Sequence, residues 1–425
     1  MKIFCSGIGG IGLSAYASLQ AHRGHTVMGS DRARTPLTDA LGDLGIEVLE
    51  DQSGAALPND VDLLVYSEAI PQTAPERVRA RELGIPQQSY SEAVGALANG
   101  SRLIAVCGTH GKSSTTAMTA RLLMGSGFDP TVVVGTKMKE RDGKNWRAGK
   151  SGWFVLEACE YRRSFHFYNP QIILLTNADG DHFDYYKSKD DYRRAFVDFV
   201  RKLPVDGLLI THLSDPDCRS ITQAAGRPVL DADSFPFISL GTPGLHMRQN
   251  AQLVLALAQH LGIASEESKK IVSRYGGSWR RIEIKGTRSD GVTVIDDYAH
   301  HPREIRATVA AVKDQFPVRR LVCVFQPHTH DRTFKLYEDF LECFAGVDRL
   351  IVTNVYDARS DGETRHVDGA KFSEDIAARG RIHTTFGRSL GETERMLRTE
   401  ILELGDILLC LGAGDITNLA TEMVE

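Results

Sequence analysis

The chain has 425 residues, of which 42% are hydrophobic and 25% charged, and its formal net charge is −5. This length predicts about two to four domains with buried cores, and the ordinary composition excludes disordered, collagen-like and fibrous coiled-coil proteins. The slight acidic excess argues against nucleic-acid binding. Because no uncharged apolar run reaches the ~18–20 residues that span a bilayer, we also expect no membrane partner.

Short β-branched runs alternate with helical segments along almost the whole chain, which is typical of parallel sheets covered by helices. The first unit contains strand-like runs at 2–6, 26–29 and 60–66 and helices at 11–21 and 91–98. The second contains strands at 103–107, 153–157, 171–176 and 207–211 and ends in helices at 247–261 and 266–275. The third contains strands at 292–296, 321–325, 349–353 and 407–411 and helices at 302–313, 334–344 and 392–404. The sequence therefore predicts an α/β protein of three units in series.

The amino terminus and the cysteines indicate a cytoplasmic protein. Residues 1–7 lead directly into glycines, so we expect no signal peptide. The seven cysteines are odd in number, form no C-x-x-C pair and lie partly in apolar strand-like runs. This usage predicts reduced, buried thiols.

A glycine-rich turn joins the first predicted strand to the first predicted helix. Gly7, Gly9 and Gly12 fit the pattern G-x-G-x-x-G, Gly10 adds a further glycine, and Asp31 follows at the end of the next strand. Such glycines let backbone N–H groups approach a diphosphate at a helix N-terminus, and Asp31 could accept a hydrogen bond from the bound nucleotide. The pattern does not distinguish a dinucleotide from a UDP-sugar, and a turn needed only for packing is the alternative.

A second phosphate loop follows the strand at 103–107 and opens a helix. Its sequence is Gly108-Thr109-His110-Gly111-Lys112-Ser113-Ser114-Thr115-Thr116. Backbone amides of such a loop cradle phosphates, Lys112 reaches the β- and γ-phosphate oxygens and the Ser113 hydroxyl faces Mg²⁺. The first glycine of the usual motif would fall at Val106, so this is a shortened variant. A lysine at a helix N-terminus opposes the helix dipole, which favours a bound anion over a purely structural role.

Two phosphate loops in one chain suit an enzyme that uses ATP to activate a nucleotide-linked substrate. Glu157 ends an apolar strand beside the second loop, and Asp179, Asp181 and His182 follow the next strand. The carboxyl edge of an open α/β sheet is where catalytic acids lie, and Mg²⁺ prefers oxygen ligands. Ordinary solvated loop residues are the alternative for each acid taken alone.

In chain order, these motifs resemble the Mur ligase family, and among its members those that add L-alanine. The matching stretches cover nearly the whole chain and are residues 7–12, 29–31, 108–116, 157–161, 177–186, 250, 280–281, 296–302, 325–328 and 412–416. The resemblance implies a Rossmann-like UDP-N-acetylmuramate domain at 1–99, a central P-loop ATPase-type domain with a mixed sheet at 100–283 and a Rossmann-like amino-acid domain at 284–425.

The resemblance also implies residue roles. Catalytic roles fall on Lys112, Glu157, His182 and His300, and the metal ligands are Ser113, Glu157 and His182. ATP contacts fall on Gly108, Thr109, His110, Gly111, Lys112, Ser113, Ser114, Asn250, Arg281 and Asp297. UDP-N-acetylmuramate contacts fall on Gly7, Gly9, Gly10, Gly12 and Asp31, and amino-acid contacts on Tyr298, His300 and Arg332.

The implied reaction is ATP-dependent amide formation between the lactyl carboxylate of UDP-N-acetylmuramate and L-alanine, through an acyl phosphate, in cytoplasmic peptidoglycan precursor synthesis. ATP and Mg²⁺ are the expected cofactors, and the protein is expected to be a monomer or homodimer. One alternative is a recycling ligase that adds a tripeptide to the same sugar nucleotide. Its family has Glu-Pro-Arg-Ser where this chain has Phe325-Gln326-Pro327-His328, and Asp184-Tyr185-Tyr186 also favours alanine.

Two alternatives come from other classes. A dinucleotide-dependent oxidoreductase would leave Lys112 unexplained, and a non-catalytic nucleotide sensor would bind without releasing ADP. The histidines at 300, 301, 328 and 330 could suggest zinc, but no cysteine or carboxylate spacing completes a familiar ligand set. They fit substrate contacts in a cleft better.

The sequence departs from the family pattern at several positions. Thr329 stands where the family has an arginine, which leaves Arg332 alone of an expected pair. Ser67-Glu68 replaces a Ser-Ser pair, Ser113 replaces a threonine, and residues 203–250 form a short stretch for the family. The absence of lysine from residues 191–196 agrees with the alanine-adding members, because later members carry a carbamylated lysine there.

Overall fold

The computed structural model describes residues 1–138, 143–183, 185–356, 366–380 and 382–424, so Asp184 lies outside the described residues. The chain divides into two compact units. The first comprises Met1–Asp179, Asp190–Pro236 and Ala251–Val272, and the second comprises Gly180–Lys189, Phe237–Asn250 and Ser273–Glu425. The described residues form three sheets, two in the first unit and one in the second. The three domain boundaries drawn from the sequence stay a prediction.

The amino-terminal sheet is parallel and has the strand order β3-β2-β1-β4-β5. Its strands are β1 (Lys2–Ser6), β2 (Thr26–Ser30), β3 (Glu47–Leu49), β4 (Leu63–Tyr66) and β5 (Gln87–Ser89). Its helices are α1 (Ile11–His22), α2 (Pro36–Gly42), α3 (Pro75–Glu82) and α4 (Tyr90–Ala98). β1 is buried on both faces, which is why it reads as a continuous apolar run.

The central sheet is mixed and has the strand order β12-β11-β10-β6-β9-β7-β8. Its strands are β6 (Arg102–Cys107), β7 (Thr131–Met138), β8 (Lys144–Arg147), β9 (Trp153–Glu157), β10 (Ile172–Leu175), β11 (Leu208–Thr211) and β12 (Val229–Asp231). β8 pairs antiparallel with β7, and the other pairs are parallel. The helices that follow in this part of the chain are α5 (Lys112–Gly125), α6 (Lys189–Val200), α7 (Pro216–Ala225), α8 (Leu245–His260) and α9 (Ser265–Ser273).

The carboxy-terminal sheet has the strand order β13-β14-β18-β15-β16-β17, with β13 antiparallel to β14. Its strands are β13 (Glu283–Thr287), β14 (Thr293–Asp297), β15 (Leu321–Phe325), β16 (Arg349–Thr353), β17 (His383–Arg388) and β18 (Ile407–Leu411). Its helices are α10 (Pro302–Gln315), α11 (His330–Lys335), α12 (Tyr337–Leu341), α13 (Gly369–Gly380), α14 (Leu390–Met396) and α15 (Ile416–Glu422). Alternate residues of β15 enter cores on opposite faces of the sheet, Cys323 in one and Val324 in the other.

Two predicted helices were wrong in extent. The helix expected at 334–344 is two short helices, α11 and α12, because Thr329 caps the first one early and the chain leaves helical geometry at Leu336. In place of the helix expected at 392–404, α14 ends at Met396 and one π-helical turn follows over Leu397–Ile401. Six cysteines are buried and Cys159 is exposed, and all seven thiols are free. Among the described residues, no helix is both long and apolar enough to span a membrane.

Candidate active site

The first glycine loop lies at the carboxyl end of β1, where the chain turns into α1. The N–H groups of Gly7 and Ile8 both donate to the Ser30 carbonyl at 2.9 Å, which ties the loop to the end of β2. Gly9 N–H donates to Asp31 Oδ2 at 2.8 Å. A Cβ on Gly12 would lie 2.8 Å from the Tyr90 ring, so a larger residue there would have to displace that ring.

Asp31 therefore stabilises the first glycine loop through this hydrogen bond. A Cβ added to Gly9 would lie 2.8 Å from Asp31 Oδ2, so the carboxylate and the glycine backbone fit closely. Gly10 precedes the first helical residue and serves as the N-cap of α1. The arrangement places backbone amides at a helix N-terminus, as anion binding requires.

The second loop is shaped by two glycines. Gly111 adopts a left-handed conformation with φ of 80° as the N-cap of α5. Gly108 has φ of 139°, and a Cβ there would lie 2.0 Å from Thr176 Oγ1. Thr176 and Asn177 follow β10, so the neighbouring strand leaves no space for a side chain at Gly108.

Side chains from elsewhere in the central domain hold this loop. His110 N–H donates to Asn177 Oδ1 at 2.9 Å, and His110 Nε2 lies 3.6 Å from Asp179 Oδ2. The Thr109 hydroxyl lies 2.8 Å from the Tyr192 hydroxyl. Ser114 is buried in the first turn of α5. The loop is thus braced by its neighbours before any ligand is considered.

Lys112 is surrounded by acceptors. Its Nζ donates to the Gly108 carbonyl at 2.5 Å and the Thr109 carbonyl at 3.0 Å, and it lies 3.0 Å from Glu160 Oε2. Burial alone would lower the pKa of Lys112, but the nearby carboxylates, Glu160 above all, raise it well above its usual range. Lys112 is therefore an ammonium ion. The sequence alone does not identify Glu160 as its partner.

Ser113 and Glu157 form the oxygen-rich part of the site. The Ser113 hydroxyl donates to Glu157 Oε1 at 3.0 Å, and Gly135 N–H donates to Glu157 Oε2 at 2.7 Å. A hydroxyl and a carboxylate side by side are donors that suit Mg²⁺, which completes its coordination with water. Within the described residues, no group of three or more His, Cys, Asp or Glu side chains is arranged to hold a metal ion.

The second unit holds Arg332 and His182 around a buried carboxylate. Arg332 Nε and Nη2 lie 3.4 Å from Asp181 Oδ1, and Arg332 Nη1 donates to His328 Nδ1 at 3.0 Å. His182 Nε2 lies 3.7 Å from Asp181 Oδ2, and His182 has a left-handed φ of 57°. Burial favours a neutral carboxyl, but Arg332 and His182 outweigh it and hold the pKa of Asp181 well below its usual range.

The turn after β14 holds two further predicted residues, Tyr298 and His300, and Arg281 lies beside it. The His300 imidazole donates through Nδ1 to the Tyr298 carbonyl at 2.9 Å, and the two rings meet edge to face. Burial lowers the pKa of His300 from 6.5 to about 4, so this imidazole is neutral at pH 7. The Arg281 guanidinium carbon lies 5.3 Å from the centre of the Tyr298 ring.

Asp297 supports the backbone of the same turn. Its two carboxylate oxygens accept from Ile282 N–H at 2.6 Å and from Ala299 N–H at 2.8 Å. Ile282 is β-branched and has φ of 46°, a strained conformation that this hydrogen bond helps to fix. Burial raises the pKa of Asp297 to about 6. Asn250 is buried in α8, with its amide nitrogen 3.9 Å from Met247 Sδ.

The chain is similar to known proteins along its whole length. Three family models match successive parts of the chain: "Mur ligase family, catalytic domain" at residues 2–102, "Mur ligase middle domain" at 106–235 and "Mur ligase, glutamate ligase domain" at 280–414. The UDP-N-acetylmuramate–L-alanine ligase of Clostridium novyi (strain NT) is 35% identical over 452 aligned positions, covering 100% of this chain and 97% of that protein.

Solved structures share the fold. The UDP-N-acetylmuramate–alanine ligase of Thermotoga maritima aligns with a TM-score of 0.84 and 28% identity, covering 100% of this chain and 98% of that one. The murein peptide ligase of Psychrobacter arcticus 273-4 aligns with a TM-score of 0.75 and 21% identity over 100% and 98% of the two chains, which shows a shared fold alone. On the full-length relationship and the three matched models, this chain belongs to the Mur ligase family.

Proposed function

We propose that this chain is an ATP-dependent ligase that joins the lactyl carboxylate of UDP-N-acetylmuramate to L-alanine in peptidoglycan precursor synthesis in the cytoplasm. The observation that carries the proposal is the presence of two built phosphate loops in one compact unit of a Mur ligase chain. The full-length similarity to UDP-N-acetylmuramate–L-alanine ligases favours alanine over a tripeptide as the acceptor.

The second loop is the proposed ATP site. The residues proposed to contact the phosphates are Gly108, Thr109, His110, Gly111 and Ser114, and Lys112 would supply positive charge where negative charge develops. A carboxylate is a poor electrophile, so the lactyl carboxylate first attacks the γ-phosphate and ADP leaves. In phosphoryl transfer the protein contributes mainly positioning and charge stabilisation, which these groups provide. Contacts of Asn250, Arg281 and Asp297 with the nucleotide stay a prediction from the family resemblance.

Mg²⁺ is the proposed metal of this site. Ser113 and Glu157 would hold it, since their oxygens lie 3.0 Å apart at the loop. When bound, the ion neutralises negative charge on the phosphates. His182 as a further ligand stays a prediction.

The amino acid is proposed to bind to Arg332, Tyr298 and His300. A guanidinium binds a carboxylate through two hydrogen bonds, and Arg332 is held in place by Asp181 and His328. The alanine amine attacks the acyl carbon, and phosphate leaves with the oxygen that the carboxylate contributed. The amine must lose a proton as the amide forms, and Nε2 of the neutral His300 ring can accept a hydrogen bond from it, because Nδ1 donates to the Tyr298 carbonyl.

The first loop is the proposed UDP-N-acetylmuramate site. The diphosphate is proposed to lie against the loop formed by Gly7, Gly9, Gly10 and Gly12. In this loop the Gly7 N–H donates to the Ser30 carbonyl and the Gly9 N–H donates to Asp31, which fixes its shape. A dinucleotide would use the same glycines, so the loop does not choose between the two ligands. The second loop favours the ligase, because an oxidoreductase has no use for Lys112.

ADP release measured with different acceptors tests this function. The purified chain is incubated with ATP, Mg²⁺ and UDP-N-acetylmuramate, and then with L-alanine, with tripeptide or with neither. We expect rapid ADP release only with L-alanine. Faster turnover with tripeptide would support the recycling ligase. ATP binding with no acceptor-dependent ADP release would support the sensor. Oxidation or reduction of NAD(P) in a parallel incubation that contains this dinucleotide would support the oxidoreductase.

A further inference from the structure

The segment that links the two phosphate loops runs from Glu160 to Arg163. At its start, the Glu160 carboxylate contacts Lys112 of the ATP loop. Two residues later, Arg162 Nη1 donates to the Glu68 carbonyl at 3.3 Å. Glu68 follows Ser67, and a Cβ on Gly7 would lie 3.1 Å from Ser67 Cβ. The Arg162 guanidinium is thus anchored beside the first glycine loop, on a segment whose other end touches the second.

The backbone of this segment is strained. Arg162 and Arg163 both adopt left-handed conformations, with φ of 50° and 57°, which costs non-glycine residues roughly 1–2 kcal/mol each. Two contacts of Arg163 hold this strained backbone in place. Its guanidinium lies 2.8 Å from Asp191 Oδ1, and its backbone N–H donates to the Glu160 carbonyl at 2.9 Å. Such strain clusters at functional sites, where surrounding contacts fix an unfavourable conformation.

Arg162 is the exposed member of the pair. Its guanidinium carbon lies 5.4 Å from the centre of the Tyr161 ring, which limits its orientation. The strained turn therefore directs a long cationic side chain away from the central core toward the carboxyl end of β4. No packing requirement calls for an exposed arginine in a left-handed conformation, since glycine or asparagine would adopt it at lower cost.

The proposed reaction brings anionic groups to the first glycine loop, beside which Arg162 lies. UDP-N-acetylmuramate carries a diphosphate and a lactyl carboxylate, and the carboxylate must approach the negatively charged γ-phosphate of ATP. Guanidinium groups bind both carboxylates and phosphates through paired hydrogen bonds. Resting on the function proposed above, we propose that Arg162 binds an anionic group of UDP-N-acetylmuramate.

Titration calorimetry on the full chain tests this binding without requiring turnover. Arg162→Asn removes the charge but keeps a residue that tolerates the left-handed backbone, and Arg162→Lys restores the charge. Arg201→Asn is the matched control, because Arg201 is another exposed arginine of the same unit. We expect Arg162→Asn to raise the Kd of UDP-N-acetylmuramate about 10- to 100-fold, the range for a lost hydrogen bond to a charged group, with partial recovery in Arg162→Lys.

Titration with UDP alone identifies which anionic group of UDP-N-acetylmuramate Arg162 binds. A parallel increase in the Kd of UDP assigns Arg162 to the diphosphate, and an unchanged Kd for UDP assigns it to the lactyl carboxylate. If the wild type binds UDP-N-acetylmuramate and Arg162→Asn binds it within about twofold as well, the Arg162 proposal is overturned while the function stands. If the wild type does not bind UDP-N-acetylmuramate, the proposed function fails and this proposal fails with it.

Discussion

At the residue scale, the contact between Lys112 and Glu160 gives Lys112 a structural role as well as a catalytic one. Glu160 is completely buried and also accepts from the Tyr192 hydroxyl at 3.4 Å, so Lys112→Ala would remove the cation beside a carboxylate in the interior. We expect turnover to fall about 10³-fold or more from lost charge stabilisation, and the free energy of unfolding to fall by about 3–5 kcal/mol. Steady-state ADP release and urea unfolding measure the two effects.

The double variant Lys112→Ala with Glu160→Gln separates these roles. Removing the buried charge should restore much of the lost stability, whereas turnover should stay low because the cation is still missing. Near-normal ADP release from a folded Lys112→Ala protein would mean that the loop does not serve phosphoryl transfer.

Substitution of Arg332 tests the proposed binding site for the amino acid. Arg332→Ala should raise the Michaelis constant for L-alanine by about 10- to 100-fold and leave that for ATP nearly unchanged, because a charged hydrogen bond is worth about 1.5–3 kcal/mol. Arg332→Lys, which keeps a charge near Asp181, serves as the stability control. If Arg332→Ala instead weakens ATP or UDP-N-acetylmuramate and spares alanine, the acceptor site is misplaced.

Thr329 occupies the position of the second arginine expected from the family. Its side chain accepts from Arg332 N–H at 3.4 Å as the N-cap of α11, and its φ is 62°. Thr329→Arg should tighten alanine binding by restoring the pair. Because the cap is lost, we expect this gain to come with a loss of about 1 kcal/mol in the free energy of unfolding. Alanine titrations and urea unfolding on the same variant check both parts.

The lowered pKa of His300 predicts how the free energy of unfolding depends on pH. Its folded pKa of about 4 lies below its ordinary value of 6.5, so the unfolded chain binds more protons between these values. The His300 contribution to stability is therefore complete above about pH 6.5 and is lost as the pH falls toward 4, by up to about 3 kcal/mol. Asp297, with its raised pKa, shifts stability in the opposite direction over part of this range.

Comparing wild type with His300→Gln isolates this contribution, because Asp297 is common to both. The difference in their free energies of unfolding between pH 7.5 and pH 5, measured by urea unfolding, should reflect the His300 loss alone. His260→Gln, at an exposed position of α8, is the control. A pH dependence identical in wild type and His300→Gln would contradict the burial of this imidazole.

At the element scale, the turn from β6 into α5 depends on a glycine that no other residue can replace. Gly108→Ala would combine a positive φ with a clash against Thr176 and the Asn177 backbone. Gly127, which follows α5, also has a positive φ but has open space around its Cβ position. We expect urea unfolding to show a loss of about 3 kcal/mol for Gly108→Ala against about 1 kcal/mol for Gly127→Ala. Equal losses would contradict the close packing.

The elements also show what a single sequence can predict. Buried parallel strands such as β6, β15 and β18 read as continuous apolar runs, so their positions were confirmed closely. The antiparallel edge strand β8 went unpredicted, because Lys144–Arg147 has neither an apolar run nor a strong alternation. α11 and α12 were predicted as one helix, since the break at Leu336 has no glycine or proline to mark it.

The residues of the candidate site also divide into those that the sequence predicts and those that it does not. The loop residues were predictable, because glycine spacing and Lys112 carry their chemistry within one short motif. Their supports, Glu160, Asn177 and Tyr192, were not, because each contacts the loop across 48 or more residues of sequence. Asp181 was considered only as an acid, and its pairing with Arg332, with a sequence separation of 151, could not be foreseen.

At the scale of the whole molecule, both phosphate loops belong to one compact unit, and the residues proposed for the amino acid belong to the other. The two phosphate loops and the residues proposed for the amino acid serve one proposed reaction with two chemical steps. Phosphoryl transfer to the lactyl carboxylate comes first, and attack by the amine comes second. An acyl phosphate intermediate therefore leaves a trace, because one carboxylate oxygen must depart with the phosphate.

The most direct test follows that oxygen. The purified chain is given ATP, Mg²⁺, L-alanine and UDP-N-acetylmuramate labelled with oxygen-18 in the lactyl carboxylate, and all products are analysed by mass spectrometry. The proposed two-step mechanism predicts equal amounts of ADP, phosphate and UDP-N-acetylmuramoyl-L-alanine, with one labelled oxygen in each phosphate. Release of AMP and pyrophosphate, phosphate without the label, or no amide product would contradict it.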